Sequence, residues 1–174
     1  YMEQDNLEDC IKSCITAIDN QCQYSIKIID GAYKRFIQSS KIEAANCYNN
    51  NYDKKAESFL RFSRGPSSDL TLDIAKRYNC DIIESPIDGW ESEIIKRSQY
   101  LKCGDYCKDN NDIYHIVIDA DERLTGILPI NILNQSDDWV IMLQRDDNIP
   151  QYAVFRCHRH RHNMRYLGFH NGVH

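Results

Sequence analysis

The fold class is decided first by residues 7–37, which read LEDCIKSCITAIDNQCQYSIKIIDGAYKRFI. Apolar residues recur in this stretch at spacings of three and four, as they do on one face of an amphipathic helix. Residues 19–21 (Asp-Asn-Gln) interrupt the pattern, because short polar side chains compete for backbone hydrogen bonds and favour turns or caps. We therefore expect either one long helix or a helix, a turn and a second helix that begins near Cys22.

The rest of the chain adds short helices and then strands. The Asn-rich residues 46–55 predict a loop, and further helices are predicted over residues 56–62, 70–78, 92–101 and 129–133. A short buried strand is expected at 81–84, and four β-branched or aromatic runs predict strands at 113–118, 139–143, 152–155 and 166–169. The pattern favours an α+β fold in which N-terminal helices pack on a mostly antiparallel sheet, within a single domain over 1–174.

Composition excludes several classes of protein. The chain has 174 residues and a formal net charge of −5, which argues against broad binding to nucleic acid, since such binding depends on neutralising phosphates. The sequence contains no apolar run near the roughly 20 residues of a membrane span, and its first residues lack the pattern of a signal peptide. We expect no membrane partner and no cofactor.

Eight cysteines are the unusual feature of the composition. Their density is below that of small disulfide-stapled domains, and without a secretory signal we expect free thiols in the reducing cytoplasm. Cys22 is the candidate for chemistry, because a cysteine at a helix N-terminus after a turn has a lowered pKa and nearby backbone N–H groups. The alternative is that Cys22 is a buried helix residue, and Cys14, Cys47 and Cys80 are expected to be packing residues.

Three segments resemble the ovarian-tumour (OTU) deubiquitinases, a family of cysteine proteases. Residues 19–24 (DNQCQY) are similar to the family's nucleophile motif, Asp-Gly-Asn-Cys followed by an aromatic pair. Residues 56–72 (AESFLRFSRGPSSDLTL) resemble its middle signature, and residues 165–174 (RYLGFHNGVH) resemble the last strand and the turn that delivers its catalytic histidine. The segments occur in the family's order, so the resemblance implies a papain-like, OTU-type fold.

The resemblance also implies roles for three residues. Cys22 would be the nucleophile, His174 the general base, and Asp19 the residue that shapes the loop whose backbone N–H groups form the oxyanion hole. The implied activity is removal of ubiquitin or a ubiquitin-like protein from conjugates, in the host cytoplasm if the chain is viral or a bacterial effector. The chain ends at His174, where the family continues to an acid or amide, so the third triad member is missing, supplied from elsewhere, or lost with a truncated tail, and we expect a fragment of a longer protein.

A second hypothesis is a non-enzymatic binding module. Residues 157–162 (CHRHRH), with Cys103 and Cys107, offer ligands suited to zinc, and the alternating histidines would share one face of a strand. The arginines of the same stretch would suit RNA or an acidic protein surface. The remaining alternative is that this stretch is a solvated loop between the last two strands.

Overall fold

The protein combines helices with two small sheets. A computed structural model describes residues 2–102, 113–135, 138–143 and 152–161. Within these ranges the elements are α1 (Leu7–Ile18), β1 (Lys27–Ile29), α2 (Lys34–Asn49), α3 (Asp53–Leu60), α4 (Thr71–Arg77), β2 (Asp81–Ile83), α5 (Glu93–Lys102), β3 (Tyr114–Ile116), a 3₁₀ helix (Ile130–Gln135), β4 (Asp138–Leu143) and β5 (Tyr152–Arg159). The general α+β class is therefore confirmed. The described helices are all too short or too polar to cross a membrane.

The first sheet is a parallel pair of strands, β1 and β2. Ile28 lies opposite Ile82, and Ile29 lies opposite Ile83. The prediction of a second helix beginning near Cys22 is wrong, because the isoleucines before residue 30 form a strand and the next helix, α2, begins only at Lys34. Pairing with a strand more than 50 residues away overrides the helical spacing of these side chains.

Helices α2 and α3 pack against each other as a hairpin. The predicted loop over residues 46–55 is wrong for most of its length, because α2 continues to Asn49 and α3 begins at Asp53. Cys47 is buried in the last part of α2, and Ala56 is buried in α3. Burial of this helix face compensates for the low helix propensity of the asparagines.

The second sheet has the order β3-β5-β4, with both pairs antiparallel. This agrees with the prediction of an antiparallel sheet in the second half of the chain. Strand β5 extends to Arg159, so residues 157–159 form part of the central strand of this sheet rather than a solvated loop. The strand predicted at 166–169 lies outside the described residues.

Helix α1 connects the two halves of the molecule. Leu7 and Ile11 pack with Ile74 and Ala75 of α4 in a buried cluster. Residues 119–128 form three hydrogen bonds along the length of α1. The Cys10 thiol donates to the Asp119 carbonyl at 3.7 Å, and the Leu124 N–H donates to Ser13 Oγ at 3.1 Å. The third bond runs from the Leu128 N–H to the Ala17 carbonyl at 2.7 Å. These contacts bring the chain from the second sheet back to the C-terminal end of α1.

Candidate functional site

Cys22 lies in an irregular segment between α1 and β1. Of the six cysteines among the described residues, it is the exposed one. The alternative of a buried helix residue is therefore wrong. The expected placement at a helix N-terminus is also wrong, because the chain continues from Cys22 into β1 and the next helix, α2, begins only at Lys34.

The turn before Cys22 consists of two left-handed residues. Asp19 has φ 46° and ψ 43° and caps the C-terminus of α1, with its N–H donating to the Ile15 carbonyl at 3.2 Å. Asn20 has φ 56°, a conformation that asparagine tolerates better than most residues. Asp19 thus sets the direction in which the chain leaves α1.

The residue before Cys22 is fixed in place by hydrogen bonds. The Gln21 N–H donates to the Ile18 carbonyl at 3.0 Å, and its side-chain Nε2 donates to the Leu128 carbonyl at 3.1 Å. Within the described ranges, the N–H groups of Asn20 and Cys22 have no hydrogen-bond partner. Both N–H groups are therefore unpaired donors within two residues of Cys22.

His174 and the segment 162–174 lie outside the described residues, as do Cys103 and Cys107. The structure therefore does not place the predicted general base relative to Cys22. The described histidines belong to the second sheet. His115 Nε2 lies 2.9 Å from His160 Nδ1, and His158 is opposite His115 in the strand register.

The described part of the predicted binding stretch, residues 157–161, is only partly exposed. Cys157 and His158 are both buried, with 3% of each residue exposed. Because neighbouring residues of a strand point to opposite faces, both faces of β5 are covered at this position. Among the described parts of the chain, no group of three or more His, Cys, Asp or Glu side chains is placed to hold a metal ion.

The remaining described thiols have different environments. Cys47 is buried, as expected of a packing residue, and Cys80 packs against the cluster of α1 and α4, where burial raises the pKa of its thiol. Cys14 is half-buried one turn after Cys10 on α1, and a hydrogen bond between the two thiols lowers the pKa of Cys14 and raises that of Cys10. Cys14 is therefore a second thiol whose reactivity must be compared with that of Cys22.

A polar centre that the sequence did not reveal lies where β1 ends. The Asp30 carboxylate is buried and accepts hydrogen bonds from the Ser67 N–H at 2.7 Å and the Ser67 hydroxyl at 2.5 Å. The Trp90 indole N–H donates to the Asp30 carbonyl at 2.7 Å, and the Lys96 ammonium donates to the Gly31 carbonyl at 2.8 Å. The signal in the sequence is an acidic residue and a glycine directly after two isoleucines, which is typical of the end of a strand.

Comparisons with protein-family models, with curated proteins and with solved structures found no match to this chain. The resemblance to the OTU family therefore rests on residues 19–24, 56–72 and 165–174. The first two segments lie within the described residues, and the third does not. In the middle segment, the helix-turn-helix order matches the prediction, since α3 and α4 flank the turn that contains Gly65.

Proposed function

We propose that this chain is a cysteine-type deubiquitinase that removes ubiquitin or a ubiquitin-like protein from lysine conjugates, with Cys22 as its nucleophile. The observation that carries the proposal is the position of Cys22. Its side chain is exposed on a turn anchored by Gln21, which follows the left-handed residues Asp19 and Asn20. An extended substrate tail can approach a thiol in this position without displacing core residues.

The chemistry follows the acyl-thioester route. His174 takes the proton of the Cys22 thiol, and the thiolate attacks the isopeptide carbonyl. The N–H groups of Asn20 and Cys22 stabilise the oxyanion, and the C–N bond then breaks as His174 protonates the leaving lysine amine. Water hydrolyses the thioester, giving up a proton to His174, and Cys22 leaves as the thiolate. Asp19 acts on the position of the loop and not on the reacting atoms.

The absence of a helix at Cys22 adds a requirement to this mechanism. The segment from Cys22 to Ile26 is irregular, so no helix begins at the Cys22 thiol. The imidazole of His174 must then supply the whole of the activation. Substitution of His174 should therefore be as damaging as substitution of Cys22.

Part of the surface that the binding-module hypothesis requires is buried in this structure. Cys157 and His158 are buried and cannot contact a partner, which leaves Arg159, His160 and Arg161 from the described part of the segment. We therefore rank this hypothesis second. It predicts that binding of RNA or an acidic protein is independent of Cys22.

Hydrolysis of ubiquitin carrying a C-terminal fluorogenic amide tests the proposal. We expect turnover by the wild-type chain and a loss of at least about a hundredfold in kcat/KM for both Cys22→Ala and His174→Ala. Cys14→Ala is the matched control, because it removes a thiol of lowered pKa from the neighbouring helix, and it should retain turnover near the wild-type rate. Wild-type inactivity towards ubiquitin and ubiquitin-like substrates, or full activity of Cys22→Ala, would contradict it.

A further inference from the structure

A cleft of about 390 Å³ opens beside the carboxyl end of β1. Its lining residues are Glu3, Gly31, Ala32, Tyr33, Arg35, Phe36 and Lys96. In open parallel sheets, ligands bind outside the carboxyl ends of the strands, where the chain turns away and leaves backbone groups and side chains to converge. Cys22 is not among the residues that line this cleft.

The floor of the cleft is held by backbone hydrogen bonds. The Ala32 N–H donates to the Gly65 carbonyl at 2.9 Å, and the Trp90 N–H donates to the Ala32 carbonyl at 2.9 Å. Lys34 continues this pattern with a bond of 2.9 Å to the Trp90 carbonyl. Residues 31–34 are therefore fixed by two separate segments of the chain before any ligand arrives, which reduces the entropic cost of binding.

Lys96 is the cation on the inner side of the cleft. It is largely buried, and its Nζ lies 5.6 Å from the centre of the Tyr33 ring as well as 2.8 Å from the Gly31 carbonyl. An ammonium group has three N–H donors, and the Gly31 carbonyl takes one of them. Within the part of the chain that the structure describes, no other acceptor is bound to this ammonium.

The charge of Lys96 is only partly compensated by its surroundings. Burial lowers the pKa of Lys96 below its ordinary value, despite the nearby carboxylates of Asp30 and Asp119. The Asp30 carboxylate is already bound to Ser67, so it cannot turn towards the ammonium without losing these bonds. An anion in the cleft would supply the missing acceptors and charge.

The other residues of the cleft indicate the charge and the apolar surface that a bound ligand would need. Arg35 is exposed at the same cleft and forms no ion pair with any residue in the described ranges. Tyr33 and Phe36 supply aromatic surface, and 44% of Phe36 is exposed. The Glu3 carboxylate, also on the cleft, would repel an extended polyanion such as a nucleic acid.

From this arrangement we infer that the cleft binds a small molecule with one anionic group, a carboxylate or a phosphate, on an aromatic body. The anion is received by the ammonium of Lys96 and the guanidinium of Arg35, and the body contacts Tyr33 and Phe36. This site is separate from the proposed nucleophile, and its occupation does not require the Cys22 thiol.

Calorimetric titration with benzoate and phenyl phosphate tests the inference and distinguishes the two anions. We expect at least one of them to bind with a Kd of about 1 mM or tighter, and phenol, which lacks the anion, to bind at least about tenfold more weakly. Lys96→Met should weaken binding of the anion at least about tenfold, whereas Lys96→Arg should keep most of it. Lys55→Met, in an exposed position on α3, is the control for loss of a positive charge and should bind as the wild type does.

Failure of both anions to bind would overturn the inference. Equal binding of phenol and the anions, or equal binding by wild type and Lys96→Met, would overturn it as well. Circular dichroism spectra of the variants identify any that fail to fold, and Lys96→Arg preserves the test in that case. Cys22→Ala should bind the anion as the wild type does, so failure of the proposed protease activity and failure of the anion site are distinguishable.

Discussion

Ser67 binds the Asp30 carboxylate through two different donors. Its N–H lies 2.7 Å from Oδ2 and its hydroxyl lies 2.5 Å from Oδ1. Asp30 has 2% of its surface exposed, so neither oxygen can exchange these bonds for water. The pair joins the end of β1 to the turn before α4, across 37 positions of sequence.

Removal of the Asp30 carboxylate should be strongly destabilising. Asp30→Ala leaves the Ser67 N–H and hydroxyl buried without an acceptor, and we expect the free energy of unfolding to fall by about 3 kcal/mol. Ser67→Ala removes one donor and keeps the N–H bond, so a smaller loss of about 1 kcal/mol is expected. Urea denaturation measures the free energy of unfolding of both variants. Asp5→Ala, at an exposed position, is the control, and equal stability of Asp30→Ala and Asp5→Ala would contradict this role.

Two glycines should respond to alanine for different reasons. A Cβ at Gly65 would lie 1.9 Å from the Pro86 carbonyl oxygen, so Gly65→Ala should cost about 3 kcal/mol or more in unfolding free energy. Gly126 has φ 80° and open space around it, so Gly126→Ala should cost only the backbone strain of about 1 kcal/mol. Thermal denaturation of both variants measures the difference. Similar costs would show that the turn at Gly65 is not packed as described.

The stability of the protein should depend on the protonation of Lys96. Burial lowers its pKa in the folded state; Asp30, Asp119 and Glu3 favour the charged form, and Arg97 disfavours it. Between the folded pKa and the ordinary value of 10.5, the unfolded chain binds the proton and the folded chain does not, so this group's contribution to stability rises with pH.

Lys96→Met removes this titration. We therefore expect the stability of Lys96→Met relative to wild type to be highest at neutral pH and to decline as the pH rises towards 10.5. Urea denaturation at a series of pH values measures the difference. The exposed Lys55→Met should follow the wild-type curve, and a difference between wild type and Lys96→Met that does not change with pH would be the opposing result.

The described thiols should differ in their rates of alkylation. Exposed Cys22 should react with iodoacetamide faster than buried Cys47 and Cys157 by at least about tenfold, since a buried thiol reacts only when the structure opens. Cys14 should react at an intermediate rate, because its pKa is lowered but its side chain is half-buried. Peptide mapping by mass spectrometry after short exposures measures the order. Protection of Cys22 would contradict its exposed position.

Elements with a local pattern were predictable from the sequence. Helix α4 and strand β2 lie within a residue of their predicted positions, and α5 occupies 93–102 where 92–101 was expected. Segment 22–37 was not predictable in the same way, because isoleucines spaced for a helix also suit a strand. The decisive fact is the pairing of β1 with β2, which no local window contains.

The features of the candidate sites were likewise predictable only where they depend on neighbouring residues in the sequence. The sequence indicated a turn at Asp19 and Asn20, and both residues are left-handed in the structure. It did not reveal the contact of Lys96 with Gly31 or that of Asp30 with Ser67, because acids and lysines are buried only when partners distant in sequence meet them. The burial of His158 was also not predictable from the sequence, because it depends on β5 being the central strand of its sheet.

The identity of the nucleophile can be tested directly with a ubiquitin probe that carries a thiol-reactive group at its C-terminus. We expect one covalent adduct per chain, mapped by mass spectrometry to Cys22 and absent from Cys22→Ala, while Cys14→Ala still forms it. An adduct that maps to another cysteine, an adduct that survives in Cys22→Ala, or no adduct with the wild-type chain would contradict the assignment of Cys22 as the catalytic thiol.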